Sequence, residues 1–352
     1  MDEDALVGLA AHEAFHVFQA ASRVEGRRFG AGENSMLVAR YPVFDAENEA
    51  GMALEGLLLR EALTMPGRDA AVRAARAFLA VRAARQRRLG AEFARFEDAA
   101  EMNEGLADYA RHRAVRANAS IVLAPGLAEV ASGPVRLRFY ATGAAMAHLL
   151  DRLGGAEWKQ RMMRDDLTLG EALARAAGRA TDEAAEVSAV EARLNMAALR
   201  ARAAEKVAEL RASRTVRADS VLAAPGLRVQ VVPDRLGGPL NPCGFDPQNL
   251  LRVDDARWLH TRWLRACTEG VDVEFNTPVV QDEAGGSLAA VAGPEGEVRI
   301  TAGGRTLALA DGARVDGVAD LRIESAPVTL RARLADVERT GRTIIIHPRR
   351  VP

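Results

Sequence analysis

The chain has 352 residues, 49% hydrophobic and 27% charged, with a formal net charge of -1. That balance excludes a disordered or collagen-like polymer and offers no bulk positive charge to hold nucleic acid or an anionic membrane. No run approaches the roughly eighteen apolar residues that a membrane span requires, and the length suits two domains with separate cores.

From Asp2 to about Ser213, apolar residues recur at three- and four-residue spacing with few β-branched runs. The spacing predicts helices near 4–23, 44–63, 68–87, 92–115, 139–154, 167–177 and 181–213, with breaks at GRRFGAGEN, MPGRD, APGLAEVASGP and LGGAE. The last of these helices mixes charge signs, as a solvated helix along a domain boundary does. After Arg217 the pattern changes to short alternating runs, LRVQVV, VDVEF, EVRITA, RTLALA, PVTLRARL and RTIIIHP, separated by Gly, Asp and Pro turns. EVRITA and RTLALA read as a hairpin closed by two glycines, and DARWLHTRWLRAC reads as a short amphipathic helix carrying Trp258, His260 and Trp263. The expected fold is α+β, a mainly α-helical domain over 1–217 followed by a small antiparallel β domain over 218–352.

Cys243 and Cys267 are too few for a disulfide framework and lack zinc-ribbon spacing, so a bridge between them is expected only in an exported protein. The acidic start MDEDALVGLA lacks the positive charge of a secretory signal. As written the chain reads as cytoplasmic, and periplasmic or secreted if an upstream segment precedes it. Nothing in the pattern sets an oligomeric state.

The chemistry concentrates in AAHEAFHVFQ, where His12 and His16 stand four apart in a helical pattern and project from one face, close enough to grip one metal ion. That arrangement suits zinc, and Glu13 between them can take a proton from a water that the metal acidifies. A catalytic zinc needs a third protein ligand. EMNEGLADYA supplies Glu104, with Asp108 one turn later on the same face, placed to orient a ligating imidazole. Glu101 is the main rival ligand, and Glu47 and Glu49 are weaker ones.

These segments resemble the gluzincin zinc metallopeptidases, and in particular the aminopeptidase-N-like group, whose HExxH helix is followed by a helix reading NEG-x-A. The resemblance implies a zincin-like catalytic domain, Zn2+ as cofactor and hydrolysis of a peptide or protein substrate, with Glu104 of Asn103-Glu104-Gly105 as third ligand. The Glu-x-x-x-Asp spacing is similar to that of thermolysin-like enzymes, which implies Asp108 as the partner that orients a ligand. RFYATGAAMAHLL resembles the Tyr-x-x-Gly entry to the next helix of the same group, which implies that Tyr140 stabilises the oxyanion. The interval from His16 to Glu104 is longer than in that group, so extra helices must fold between the motifs. GAGEN at 30–34 looks like the group's exopeptidase motif but follows His16 instead of preceding His12, and it is read as chance.

Lesser candidates are His148, either a proton donor in the Tyr140 cleft or a satisfied core residue, and His112, which with Arg111 and Arg113 could bind a substrate carboxylate, although arginines so placed are more often a wet face. The alternative to an enzyme is a zincin scaffold kept for binding a partner. An intact Glu13 argues against it, because a binding module has no use for a general base between two ligands.

Overall fold

A computed structural model describes residues 2–24, 27–30, 34–128, 134–238, 240–282 and 286–350. Parts of GAGEN and of the APGLAEVASGP break fall outside them. The chain divides into two compact units, Met1–Ala208 and Glu209–Pro352.

In the first unit the Asp2 side chain accepts from the Ala5 amide and starts α1 (Glu3–Ala21), with acidic Glu3 and Asp4 complementing the helix dipole. A two-strand ribbon, β1 (Arg23–Val24) and β2 (Arg27–Arg28), follows. Then come α2 (Ser35–Arg40), α3 (Ala46–Thr64), α4 (Arg68–Leu89) and α5 (Ala91–Ala100). A π turn over Glu101–Gly105 runs into α6 (Leu106–Ala114), the Leu106 amide donating to the Glu101 carbonyl five residues back. The unit continues through α7 (Ala119–Ala128), α8 (Val135–Leu153), α9 (Trp158–Arg164), α10 (Leu169–Ala177) and α11 (Glu183–Arg193). The division between units falls inside α12 (Met196–Ala223).

α8 is the central helix, packed against α3, α6, α7, α10 and the π turn. Phe139, Met146, Leu149 and Leu150 are buried there with Leu54, Leu58 and Phe78. Its closest approach is to the π turn. A Cβ on Gly105 would lie 2.5 Å from the Gly143 Cα and 2.9 Å from the Phe139 carbonyl oxygen, and one on Gly143 would lie 2.8 Å from the Glu101 carbonyl oxygen. The two backbones touch because neither residue has a side chain.

Beside this crossing runs a buried polar spine. Arg85 donates to Glu55, Glu97 and Asn48, Arg82 to Glu101 and Asp98, Tyr41 to Glu97, and Thr142 to Glu101 at 2.6 Å. Burial pushes the Glu97 carboxyl up, but Arg85 outweighs it and holds the group at about 2. Charges this deep are tolerated because each has charged and hydrogen-bonding partners.

Among the described residues the second unit carries thirteen strands in one sheet. They are β3 (Leu227–Val231), β4 (Asn241–Phe245), β5 (Leu250–Arg252), β6 (Arg257–His260), β7 (Leu264–Thr268), β8 (Val271–Phe275), β9 (Val279–Asp282), β10 (Leu288–Gly293), β11 (Arg299–Ala302), β12 (Arg305–Thr306), β13 (Arg314–Glu324), β14 (Val328–Thr340) and β15 (Thr343–Pro348). Their main path runs β12-β11-β13-β14-β15-β3-β10-β9-β6-β5, and β8, β7 and β4 branch from β14. Thus β14 pairs with β8 through Val328–Ala332 and with β15 through Ala335–Thr340. Alternating side chains, among them Val229, Val231, Val273, Phe275, Leu330 and Ile346, fill the core.

The α+β class is as expected, a helical N-terminal region followed by a sheet, and Gly303 and Gly304 close the β11–β12 hairpin at positive φ. Several details differ, among them the helix expected at 181–213, which is two, α11 and α12, the second running on to Ala223. Trp258 and His260 lie on β6, and Trp263 precedes β7, with no helix between them. Strand β15 pairs with β3 in parallel, so the sheet is not wholly antiparallel. Pro125 and Gly126, read as a break, lie within α7. Cys243 and Cys267 are joined as a disulfide between β4 and β7, with Cα atoms 5.8 Å apart.

Gly143→Ala places a methyl group against main-chain atoms that cannot rotate away. It is expected to cost about 1–3 kcal/mol, as overpacking does, in denaturant unfolding followed by helical circular dichroism. Gly296→Ala, whose Cβ would meet nothing within 4 Å, is the neutral control.

Candidate metal centre

α1 buries Gly8, His12 and Gln19 along one stripe, with His16 half-buried beside them. Gly8 lets α1 lie close to α6, where a Cβ would meet the Arg111 side chain at 3.0 Å. At the other end of α1 the Gln19 amide donates to the Met102 carbonyl at 2.8 Å, tying the helix to the π turn. The same turn carries Glu104, whose side chain is 3% exposed.

Three ligand-type atoms converge there. His12 Nε2 and His16 Nε2 are 3.2 Å apart, and Glu104 Oε2 lies 3.5 Å from the first and 3.4 Å from the second. A tetrahedral ion with ligand bonds of about 2.0–2.1 Å holds its ligands roughly 3.3–3.4 Å apart, so this triangle has the edges of one face of such a site. Among the described residues Glu104 Oε2 is buried without a hydrogen-bond partner, and a cation held between it and the two imidazoles would satisfy it. The donor set fits a divalent metal of borderline softness, and it is the one such group of three among the described residues.

The neighbours prepare each ligand. Because the Gln19 amide nitrogen is committed to Met102, its Oε1 faces His16 Nδ1 at 3.0 Å, so Nδ1 carries the proton and Nε2 presents its lone pair. Burial, then the nearby His16, lowers the pKa of His12 and favours its neutral, ligating form. Glu104 Oε1 accepts from Arg136 Nη2 at 2.5 Å and from Asn103 Nδ2 at 3.0 Å. Tyr140 lies with its ring parallel to that of His12, centroids 5.7 Å apart. Glu13 is exposed on the outer side of α1.

His12, His16, Glu104 and Tyr140 are therefore brought together by the fold. Asp108 takes a different place from the one expected. It pairs with Arg111 Nε at 2.8 Å and lies 3.5 Å from His112 Nε2, its carboxyl pushed up to about 6 by burial, and Gln19 is the residue that orients a ligating imidazole. The rival carboxylates are committed elsewhere: Glu101 to Arg82 and Thr142, Glu49 to Arg138, and Glu47 to Arg200. His148 lies against Tyr109 and is stacked on His112, not on the His12–His16–Glu104 group. Arg111 and Arg113 reach solvent as a wet face, whereas His112 between them is 2% exposed. Sequence reasoning missed Gln19, Asn103 and Arg136. Gln19 carried a local signal, lying one turn from His16, whereas Arg136 depends on how α8 crosses the π turn.

No family model, curated protein or solved structure matches the chain.

His112 and His148 yield a pH prediction. Burial pushes both down to about 4, while the unfolded imidazoles titrate near 6.5. Between those values the unfolded chain binds more protons, so stability falls as pH drops from about 6.5 toward 4. Melting temperature should therefore fall more steeply from neutral to acid pH in the wild type than in His112→Gln or His148→Gln. Equal slopes would contradict the assignment.

Proposed function

We propose that the chain is a zinc-dependent hydrolase of peptide bonds, held at the metal by His12, His16 and Glu104. The observation that carries the reading is the triangle of Nε2, Nε2 and Oε2 atoms at 3.2, 3.4 and 3.5 Å, with the carboxylate oxygen buried and, among the described residues, without a hydrogen-bond partner. Zinc bound there supplies Lewis acidity and lowers the pKa of a water to about 7.

The chain's own residues perform the remaining steps. Glu13, one residue after His12 and open to solvent, takes the proton of the attacking water and returns it to the leaving amine. Tyr140, beside His12 on the first turns of α8, donates its hydroxyl hydrogen to the oxyanion formed on the attacked carbonyl. Leu6, Leu9 and Val17 share the exposed side of α1 with Glu13 at helical spacing and are themselves exposed. They give the base an apolar flank against which side chains of a peptide or protein substrate can lie. The Cys243–Cys267 bridge supports an oxidising, extracytoplasmic compartment over the cytoplasm.

The test is cleavage of a mixed peptide library by zinc-loaded protein. Glu13→Gln should retain metal and lose cleavage. Tyr140→Phe should lower kcat about 10²–10³-fold, as loss of one oxyanion donor does, with KM little changed. Cleavage undiminished in Glu13→Gln would refute the assigned base.

A further inference from the structure

The two oxygens of Glu104 have different surroundings. Oε2 faces the two imidazoles and has no hydrogen-bond partner among the described residues. Oε1 is held on the opposite side by the Arg136 guanidinium at 2.5 Å and the Asn103 amide at 3.0 Å. A charge-assisted bond of that length is stronger than a neutral one and fixes the rotation of the carboxylate. Arg136 stands in the first turn of α8, four residues before Tyr140, and its guanidinium lies 5.9 Å from the centre of the Tyr140 ring. One helical turn thus carries the group that grips Glu104 and the group assigned to the oxyanion.

We propose that Arg136 is a positioning residue that restricts Glu104 to ligation through Oε2 alone. The inference rests on the metal reading given above. A carboxylate can bind a metal through one oxygen or both, and a catalytic zinc keeps three protein ligand atoms and an open position. With Oε1 committed to Arg136 and Asn103, Glu104 supplies one ligand atom. Released from Arg136, the carboxylate can turn both oxygens to the metal and fill the position that a water or substrate carbonyl needs. The guanidinium also withdraws charge from the carboxylate, which leaves the ion more electron-poor.

Cobalt reads this out without any activity assay, because four-coordinate Co2+ absorbs visible light strongly and higher-coordinate Co2+ weakly. The full chain, wild type beside Arg136→Met and Arg136→Lys, is loaded with cobalt. Methionine keeps much of the packing of the arginine stem and removes its donors. Wild type should bind one cobalt per chain with the strong band. Arg136→Met should bind it with most of that intensity lost, and Arg136→Lys, which still offers a cationic donor, should recover intensity. Arg136→Gln repeats the test if the methionine variant does not fold. An Arg136→Met spectrum superimposable on wild type at equal cobalt content would overturn the role of Arg136 and leave the metal site standing. A wild type that binds no cobalt would overturn the metal reading itself, and this inference with it.

Discussion

Gly105 and Gly143 set a close approach in the helical unit, and the candidate metal centre depends on it. Their backbones meet where any Cβ would collide with main-chain atoms. That crossing brings the first turns of α8, with Arg136 and Tyr140, alongside the turn that bears Glu104. The π turn adds its own displacement, since a five-residue hydrogen-bonded ring offsets the following side chains from the direction an uninterrupted α-helix gives them. Gln19 then fastens α1 to the same turn through the Met102 carbonyl and, with its other atom, sets the proton on His16. One junction thus positions Glu104, the residue that holds Glu104, and the tautomer of His16.

The polar spine behind the junction makes it rigid. Arg82 and Arg85 on α4 reach carboxylates on α3, α5 and the π turn, and Thr142 on α8 closes the array at Glu101. Replacing one partner leaves a buried charge uncompensated, which costs about 3–5 kcal/mol, whereas the intact array contributes little net stability against apolar packing. Its physical contribution is geometric, because a carboxylate fixed by two or three donors cannot slide, and Glu101 is the residue on which the π turn begins. The spine also explains why so many acidic side chains near Glu104 are poor ligands: their oxygens are already saturated by arginine.

How much of this was legible in the sequence follows from how local each relation is. His12 and His16 share a helix, so their spacing alone aligned them. Glu104 was found through its resemblance to a known motif, because the chain that folds between it and His16 leaves no periodic trace of their contact. Asp108 had the right spacing on the right helix, yet its carboxylate pairs within α6 itself, with Arg111 and beside His112, one turn further on. Arg111 and Arg113 reach solvent, as the wet-face reading of those arginines expects, while His112 between them stacks on His148 of α8. The stretch around Trp258 fits helix and strand spacing about equally over so short a run. Pairing of β6 with β5 and β9 decides it, and no local window contains that information.

The most direct measurement of the central claim is zinc content by elemental analysis of the purified protein, wild type beside His16→Ala and Glu104→Ala. One zinc per chain is expected in the wild type and is lost from both variants, the folded helical signal being retained. A wild type that holds no zinc after incubation with the ion, or variants that hold it as well as the wild type, would contradict the three-ligand centre.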